Sequence, residues 1–340
     1  MKIVYSRDQK IKGSLTGDFD KDYAFLEAVF ERSGDIVKNP FCIADFCRAA
    51  AIYVDGMTDA DMVEDFVIRP LLKQKWEEKI SGRELLSYIE NHVMETVDWK
   101  EDETFENILT DILSGNTLLL LEGCKKAIIL STKKYPSRGV GETQQEMVIR
   151  GPKDSFTENM RINTALIRRR IRDPRLKMEH TMTGERSKTD LAIIYMEDLV
   201  RPELLEKIRE KVKNISFDGI FDGGMVEQLL EENAWSPFPQ FQHTERPDKA
   251  ASGLLEGRIV LAVDNSPGVL ILPATYQMFF QAGDDYCCIT VCHRISRSLC
   301  GDCRFSYRNA SSLFSIIGCC GTHRNRDSCC LRSPADGISI

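Results

Sequence analysis

Nine of the twelve cysteines in this 340-residue chain lie within residues 287–340, so this segment is the first candidate for chemistry. A Cys-Gly-Asp-Cys motif at 300–303 is accompanied by other residues that can bind zinc: Cys288, Cys292, His293 and His323. No second Cys-x-x-Cys pair follows at ribbon spacing, and adjacent pairs such as Cys319 and Cys320 suit tetrahedral ligation poorly. We predict no metal site and, in a reducing cytosol, no disulfide scaffold. A zinc-dependent regulator remains a third interpretation.

Catalytic signals are poor elsewhere. The segment GVGETQ at 139–144 has two glycines of a dinucleotide fingerprint but lacks the third and follows no convincing strand. His92, His180 and His243 are scattered without ligand spacing. No nucleophile, base and orienting group can be named together, so we predict no catalytic residue, no cofactor and no enzyme.

A basic segment stands out in an otherwise acidic chain. Residues 150–177 carry nine Lys or Arg against three acidic residues, whereas the whole chain has a net charge of -7. The pattern predicts a helix over 155–172, with Ser155 and Glu158 as a capping box. Candidate contacts with an acidic partner or anionic lipid are Arg168, Arg169, Arg170, Arg172 and Arg175. The alternative is a solvated helix face with salt bridges to its neighbours.

An aromatic loop is the second candidate for recognition. Residues 232–248 place Trp235, Phe238 and Phe241 among prolines and polar residues. Long loops with aromatic residues often carry recognition. The alternative is that these side chains cover the edge of a core.

The elements that position these residues form a weak repeat. Residues 49–72 resemble residues 190–212, and each segment is an apolar strand followed by a helix. Thr58 is a plausible N-cap of the first helix, and Pro202 suits the first turn of the second. The offset between the copies is 142 at this motif. A second match aligns Leu121-Glu122-Gly123 with Leu255-Glu256-Gly257, at an offset of 134.

The repeat predicts an α/β fold of two tandem similar subdomains, each a small mixed sheet flanked by helices, with a disordered C-terminal tail. We place an N-terminal extension at 1–24, the first subdomain at 25–134, a linker and basic helix at 135–175, the second subdomain at 176–286 and the tail at 287–340. Acidity argues against a nucleic-acid partner. The sequence has neither a secretory signal nor an apolar run long enough to span a bilayer, so we expect the chain as written to be cytoplasmic.

Three long motifs carry a family resemblance. They are RGPKDSFTENMRINTALIRRRIRDPRLKME, WSPFPQFQHTERPD and LLEGRIVLAVDNSPGVLILPATYQMFFQAGDDY. Together they resemble the cytoplasmic N-terminal region of the A subunits of GerA-type spore germination receptors. The resemblance implies a nutrient-sensing complex in the spore inner membrane, with B and C subunits and other A subunits as partners. It also implies two similar α/β subdomains followed by membrane spans that form an ion path.

The tail departs from that family pattern, because the family continues into apolar spans where this chain becomes rich in cysteine, serine and arginine. Residues 287–340 hold nine Cys, nine Ser and seven Arg but no Lys, Glu, Gln, Met or Trp. Leucine codons CTG read one nucleotide later become TGC for cysteine. We therefore expect a frameshift and an A subunit truncated before its membrane domain, and the alternative for the tail is an unstructured natural segment. The rival interpretation is a free cytosolic protein that binds a small molecule between its two lobes.

Overall fold

The structure is a computed structural model that describes residues 11, 13–43, 47–73, 86, 89, 98–135, 146, 152–232, 236 and 238–275. Within these ranges the helices are α1 (Phe19–Val29), α2 (Ala60–Val63) continuing through a π-helical turn (Glu64–Ile68) into α3 (Arg69–Lys73), α4 (Phe105–Ile112), α5 (Met160–Arg170), α6 (Pro202–Lys213), α7 (Gly223–Leu230) and α8 (Pro247–Leu255). The strands are β1 (Ile36–Ile43), β2 (Cys47–Val54), β3 (Trp99–Asp102), β4 (Thr117–Leu121), β5 (Ala127–Leu130), β6 (Leu176–Thr183), β7 (Thr189–Met196), β8 (Gln242–Thr244), β9 (Ile259–Val263) and β10 (Val269–Leu272).

The strands form two five-stranded sheets of the same topology. Their orders are β1-β2-β4-β5-β3 and β6-β7-β9-β10-β8. The predicted α/β fold with two similar halves is confirmed. The sheets are antiparallel, however, rather than mixed. A mixed sheet requires at least one parallel pair of neighbours. β3 and β4 run in the same direction, with α4 between them in sequence, but β5 lies between them in the sheet and is antiparallel to both.

From β2 onward, the sequences of the two halves align with no net insertion or deletion. Ala49 pairs with Leu121 between β2 and β4, and Leu191 pairs with Val263 between β7 and β9. Each residue of the second pair lies 142 positions after its counterpart in the first pair. The offset of 134 predicted for the second motif is therefore wrong: Leu255 ends a helix, whereas Leu121 ends a strand.

Two glycines mark the same turn in each half, again 142 residues apart. Gly115 and Gly257 have φ angles of +89° and +83°, which disfavour any residue with a Cβ. A Cβ at Gly115 would lie 3.0 Å from the carbonyl oxygen of Met57, and one at Gly257 would lie 2.6 Å from that of Leu199. The close approach of two chain segments therefore recurs in both halves.

Helices cover both faces of each sheet. In the first sheet, α1 and α4 pack on one face and α2–α3 on the other. In the second sheet, α5 and α8 pack on one face and α6 and α7 on the other. Both sheets belong to one compact unit of the chain.

Helix α5 is the counterpart of α1 and packs on the second sheet. The sequence analysis placed this helix in the segment of linker and basic helix at 135–175, between the two subdomains. Asp18 caps α1 and Asn159 caps α5. The buried side chain of Asp22 accepts a hydrogen bond from the backbone N–H of Thr16, as that of Asn163 does from Thr157. We name residues 15–130 repeat 1 and residues 156–272 repeat 2.

Two predicted helix caps and one predicted subdomain start differ from the observed elements. The predicted capping box at Ser155 does not form, because Asn159 caps α5 and the Ser155 hydroxyl donates to the carbonyl oxygen of Glu245. Asp59, rather than Thr58, caps α2. The predicted start of the first subdomain at residue 25 falls inside α1. Pro202 does occupy the first turn of α6, as predicted.

Candidate interaction surface

The basic segment forms the centre of the contact between the two repeats. Arg168, near the end of α5, is 1% exposed. Its Nε lies 2.7 Å and one terminal nitrogen 3.0 Å from the two carboxylate oxygens of Asp35, which precedes β1. The remaining donors reach the carbonyl oxygens of Leu176 and Asp173. Arg168 thus joins the repeats instead of facing a partner or a lipid.

A second cation crosses the same contact. The ammonium group of Lys177, on β6, donates to the carbonyl oxygen of Val29 at the end of α1, at a distance of 2.8 Å. Burial is the main effect on Lys177 and holds its pKa below the usual 10.5, against the opposing attraction of Glu197. Next to it, the backbone N–H of Gly34 donates to the carbonyl oxygen of Met178. Backbone and side-chain bonds therefore both join repeat 1 to β6.

Two other arginines of the predicted patch bond to carboxylates that are close to them in sequence or within repeat 2. Arg170 lies 2.5 Å from Asp154, and Arg175 contacts both Asp173 and Asp198. Burial raises the pKa of Asp173, but the hydrogen bonds from Arg175 outweigh it, and the pKa lies below its usual value. For Arg170 and Arg175, these bonds agree with the alternative interpretation of the sequence, in which the basic residues form salt bridges to their neighbours.

Arg169 and Arg172 are the exposed members of the patch. The guanidinium of Arg169 stacks 4.8 Å from the ring centre of Tyr135. A terminal nitrogen of Arg172 lies 3.4 Å from the Ser114 hydroxyl, which is at the weak limit of a hydrogen bond. Of the five predicted contact residues, these two present the most charge to solvent.

The described aromatic residues of the predicted recognition loop differ in their exposure to solvent. Trp235 lies outside the described residues. Phe238 is 58% exposed, whereas Phe241 is 5% exposed and belongs to the core of repeat 2. Phe241 therefore covers the core edge, the alternative reading, because its side chain enters the apolar cluster beneath β10.

Several other predicted sites fall outside the described residues, namely the cysteine-rich tail, His92 and the segment 139–144. His180 and His243 are exposed, on β6 and β8. Within the described part of the chain, no group of three His, Cys, Asp or Glu side chains could hold a metal ion.

Sequence reasoning missed Asp35 and Lys177, the partners of the repeat contact. Asp35 is 133 residues from Arg168, and no local pattern marks it. The one available signal was the repeat itself: Asp35 directly precedes β1, as Arg175 directly precedes β6.

Comparison with known proteins supplies the family. The family model described as Bacillus/Clostridium GerA spore germination protein matches residues 24–300. The chain belongs to the GerA family. Its relatives include spore germination protein A1 of Bacillus subtilis, 36% identical over 256 residues, or 75% of this chain and 52% of that protein. The uncharacterized membrane protein YfkQ of the same species is 33% identical over 83% of this chain and 53% of its own length.

A solved structure has the same fold. The N-terminal domain of the A subunit of the Bacillus megaterium spore germinant receptor GerK3 superposes with a TM-score of 0.62 and 29% identity. The match covers 78% of this chain and 99% of that domain. The chain spans about half the length of the curated relatives that it matches. In the part of this GerA chain that the structure describes, no helix is long and apolar enough to cross a membrane.

Proposed function

We propose that this chain acts as a non-enzymatic A subunit of a nutrient germinant receptor of bacterial spores. The observation that carries the proposal is the match to the solved A-subunit domain of the GerK3 receptor, which that match covers almost completely. In this proposal the two repeats are the cytoplasmic part of a receptor in the spore inner membrane. The receptor couples germinant sensing to ion release.

The proposed partners are the B and C subunits of the receptor and other A subunits. Arg169 and Arg172 are the residues through which we expect an acidic face of a partner, or anionic lipid, to bind, because both side chains are exposed. Arg168, Arg170 and Arg175 support that surface through their bonds to Asp35, Asp154 and Asp173. A contact between exposed charges weakens as salt increases.

The test is co-purification of the tagged chain with B and C subunits from spores, at low and high salt. Replacing Arg169 and Arg172 by glutamate should reduce recovery of a partner or of the membrane fraction by at least about tenfold. The control is Arg186→Glu, because Arg186 is 84% exposed on the β6–β7 turn and lies outside α5. Recovery of both subunits and of the membrane fraction with the double variant, at the control's level, would contradict the role of the surface. Failure to recover either subunit with the unmodified chain would contradict the proposed function itself.

We also propose that residues 287–340 are read out of frame, which their composition supports. Sequencing the gene beyond the codon of Tyr286 tests this directly. Apolar spans in another frame would support it. A stop codon in every frame would favour a free small-molecule-binding protein, and one zinc ion per purified chain would favour a regulator that acts through the tail.

A further inference from the structure

The second sheet has β6 as an edge strand, and repeat 1 covers only the start of that edge. The N–H of Met178 donates to the carbonyl oxygen of Arg32, and the N–H of Gly34 donates to the carbonyl oxygen of Met178. Ser33 and Met178 thus form a parallel β-bridge. After Gly34 the chain turns away from β6, because the N–H of Ile36 donates back to the carbonyl oxygen of Ser33.

Two residues of β6 beyond that bridge point their backbone N–H and C=O groups away from the sheet. In an edge strand these groups point alternately toward the neighbouring strand and outward. Those of Met178 point outward, so those of His180 and Met182 do too. Within the described ranges, no backbone hydrogen bond reaches these four outward groups, and both side chains are exposed, Met182 by 67%. We call His180 and Met182 the free edge of β6.

Repeat 1 has a proline at the corresponding place. Pro40 of β1 lies opposite Ala50 of β2, and His180 of β6 lies opposite Ala192 of β7, which is 142 positions after Ala50. Proline has no N–H, so on an edge strand it prevents another strand from pairing there. The edge of repeat 1 is therefore protected by its sequence, whereas the equivalent edge of repeat 2 keeps its donor.

The free edge fits one short extended segment. It is bounded by Gly34, where repeat 1 leaves the edge, and by Gly184, which begins the turn after β6 with a φ of +88°. A strand that pairs with residues 179–183 has about five residues and is about 17 Å long, at about 3.3 Å per residue. Its backbone would form two hydrogen bonds with His180 and two with Met182. One of its apolar side chains would cover the exposed side chain of Met182.

The equivalent edges of a second copy do not fit as the source of this strand. Two-fold pairing of two β6 edges, with His180 of one copy opposite Met182 of the other, is antiparallel. Two residues further along, Gly184 would lie opposite Met178 of the other copy, where residues 32–34 already lie. The β1 edge lacks a donor at Pro40. The strand that fits therefore comes from a different polypeptide.

We propose that the free edge of β6 binds an extended segment of a B or C subunit by β-strand addition. In this mode of recognition, main-chain hydrogen bonds supply the affinity and alternate side chains supply the specificity. The inference rests on the proposed function for the source of the strand. It assigns that contact to a surface separate from Arg169 and Arg172, which lie at and after the end of α5.

The experiment compares substitutions that remove the N–H with substitutions that keep it, at the same two positions of the full-length chain. His180→Pro and Met182→Pro each remove one outward donor and leave the bonds to β7, which the odd-numbered residues of β6 make. The matched controls are His180→Ala and Met182→Leu, which change the side chain and keep the N–H. Each tagged chain is co-purified with the B and C subunits from spores. Circular dichroism of the purified chains checks folding, which Pro40 on the equivalent strand indicates that the proline variants retain.

Each proline variant should lower recovery of the subunit that supplies the strand by at least about tenfold, because the partner's carbonyl oxygen loses its donor and meets the proline ring instead. The controls should stay within about threefold of the unmodified chain. Recovery of both subunits with the proline variants at the level of their controls would overturn this inference and leave the proposed function standing. If the unmodified chain recovers neither subunit, the proposed function fails, and the assigned source of the strand is overturned with it.

Amide hydrogen exchange of the unmodified chain gives a second readout that needs no variant. The amides of His180 and Met182 should exchange quickly in the isolated chain and at least about tenfold more slowly in the complex with the B and C subunits. Equal exchange of these two amides in both states would overturn the proposal. Slow exchange in the isolated chain would also overturn it, because another part of the chain or a second copy would then cover the edge.

Discussion

Removal of Arg168 should destabilise the chain more than any exposed charge change, because its guanidinium is the buried link between the repeats. Arg168→Met leaves the Asp35 carboxylate, whose side chain is 3% exposed, without its cation. It also removes the donors to the carbonyl oxygens of Leu176 and Asp173. Breaking a buried ion pair from one side costs about 3–5 kcal/mol of unfolding free energy. A native domain is stable by only about 5–15 kcal/mol, so the loss is large.

The assay is urea denaturation of the full-length chain in reductant, followed by circular dichroism. Arg186→Met is the matched control, because the ion pair of Arg186 with Asp218 has side chains 84% and 66% exposed. The control should change the unfolding free energy by less than about 1 kcal/mol. Adding Asp35→Asn to Arg168→Met should recover part of the loss, because the buried group is then neutral. A loss below about 1 kcal/mol for Arg168→Met would refute the claim that this pair holds the repeats together.

Two further outcomes follow from the same structure. Folding lowers the pKa of Lys177, so the unfolded chain binds more protons than the folded chain in the pH range between that lowered pKa and 10.5. The unfolding free energy of the unmodified chain should therefore rise relative to that of Lys177→Met as pH increases through this range, and a parallel pH dependence would contradict this. Gly257→Ala should cost about 1–3 kcal/mol, because its φ is +83° and the new Cβ would lie 2.6 Å from a carbonyl oxygen. Gly224→Ala, which meets no atom closer than 3.6 Å, is the control, and equal losses would refute the steric explanation.

The repeat could be predicted from sequence because strand and helix periodicity survive in both halves. Its register could be predicted only in part. The first motif gave the offset of 142, which the pairing of Ala49 with Leu121 and of Leu191 with Val263 confirms. The second motif misled because a leucine, an acid and a glycine can end either a helix or a strand. The helix-ending and strand-ending glycines both have positive φ, so their local patterns look alike.

The candidate surface was harder to predict, since burial of a charged residue depends on distant segments. Five closely spaced arginines suggested one exposed patch. Arg168, however, is buried against Asp35, and no local sequence pattern connects these two residues. Arg169 follows it in sequence and is exposed. Consecutive helical positions point in directions about 100° apart, so density along the sequence does not translate into density on one face.

The central claim is that this chain supplies the N-terminal region of a germinant receptor A subunit, and a chimaera tests it most directly. Residues 11–275 would replace the matching segment of spore germination protein A1 in Bacillus subtilis, which is 36% identical over 256 residues. The control chimaera takes the segment from spore germination protein KA of the same species. We predict that spores carrying the first chimaera release ions in response to the nutrients that activate the parent receptor. The claim is contradicted if those spores contain normal amounts of the chimaera and do not respond, while spores with the control chimaera do.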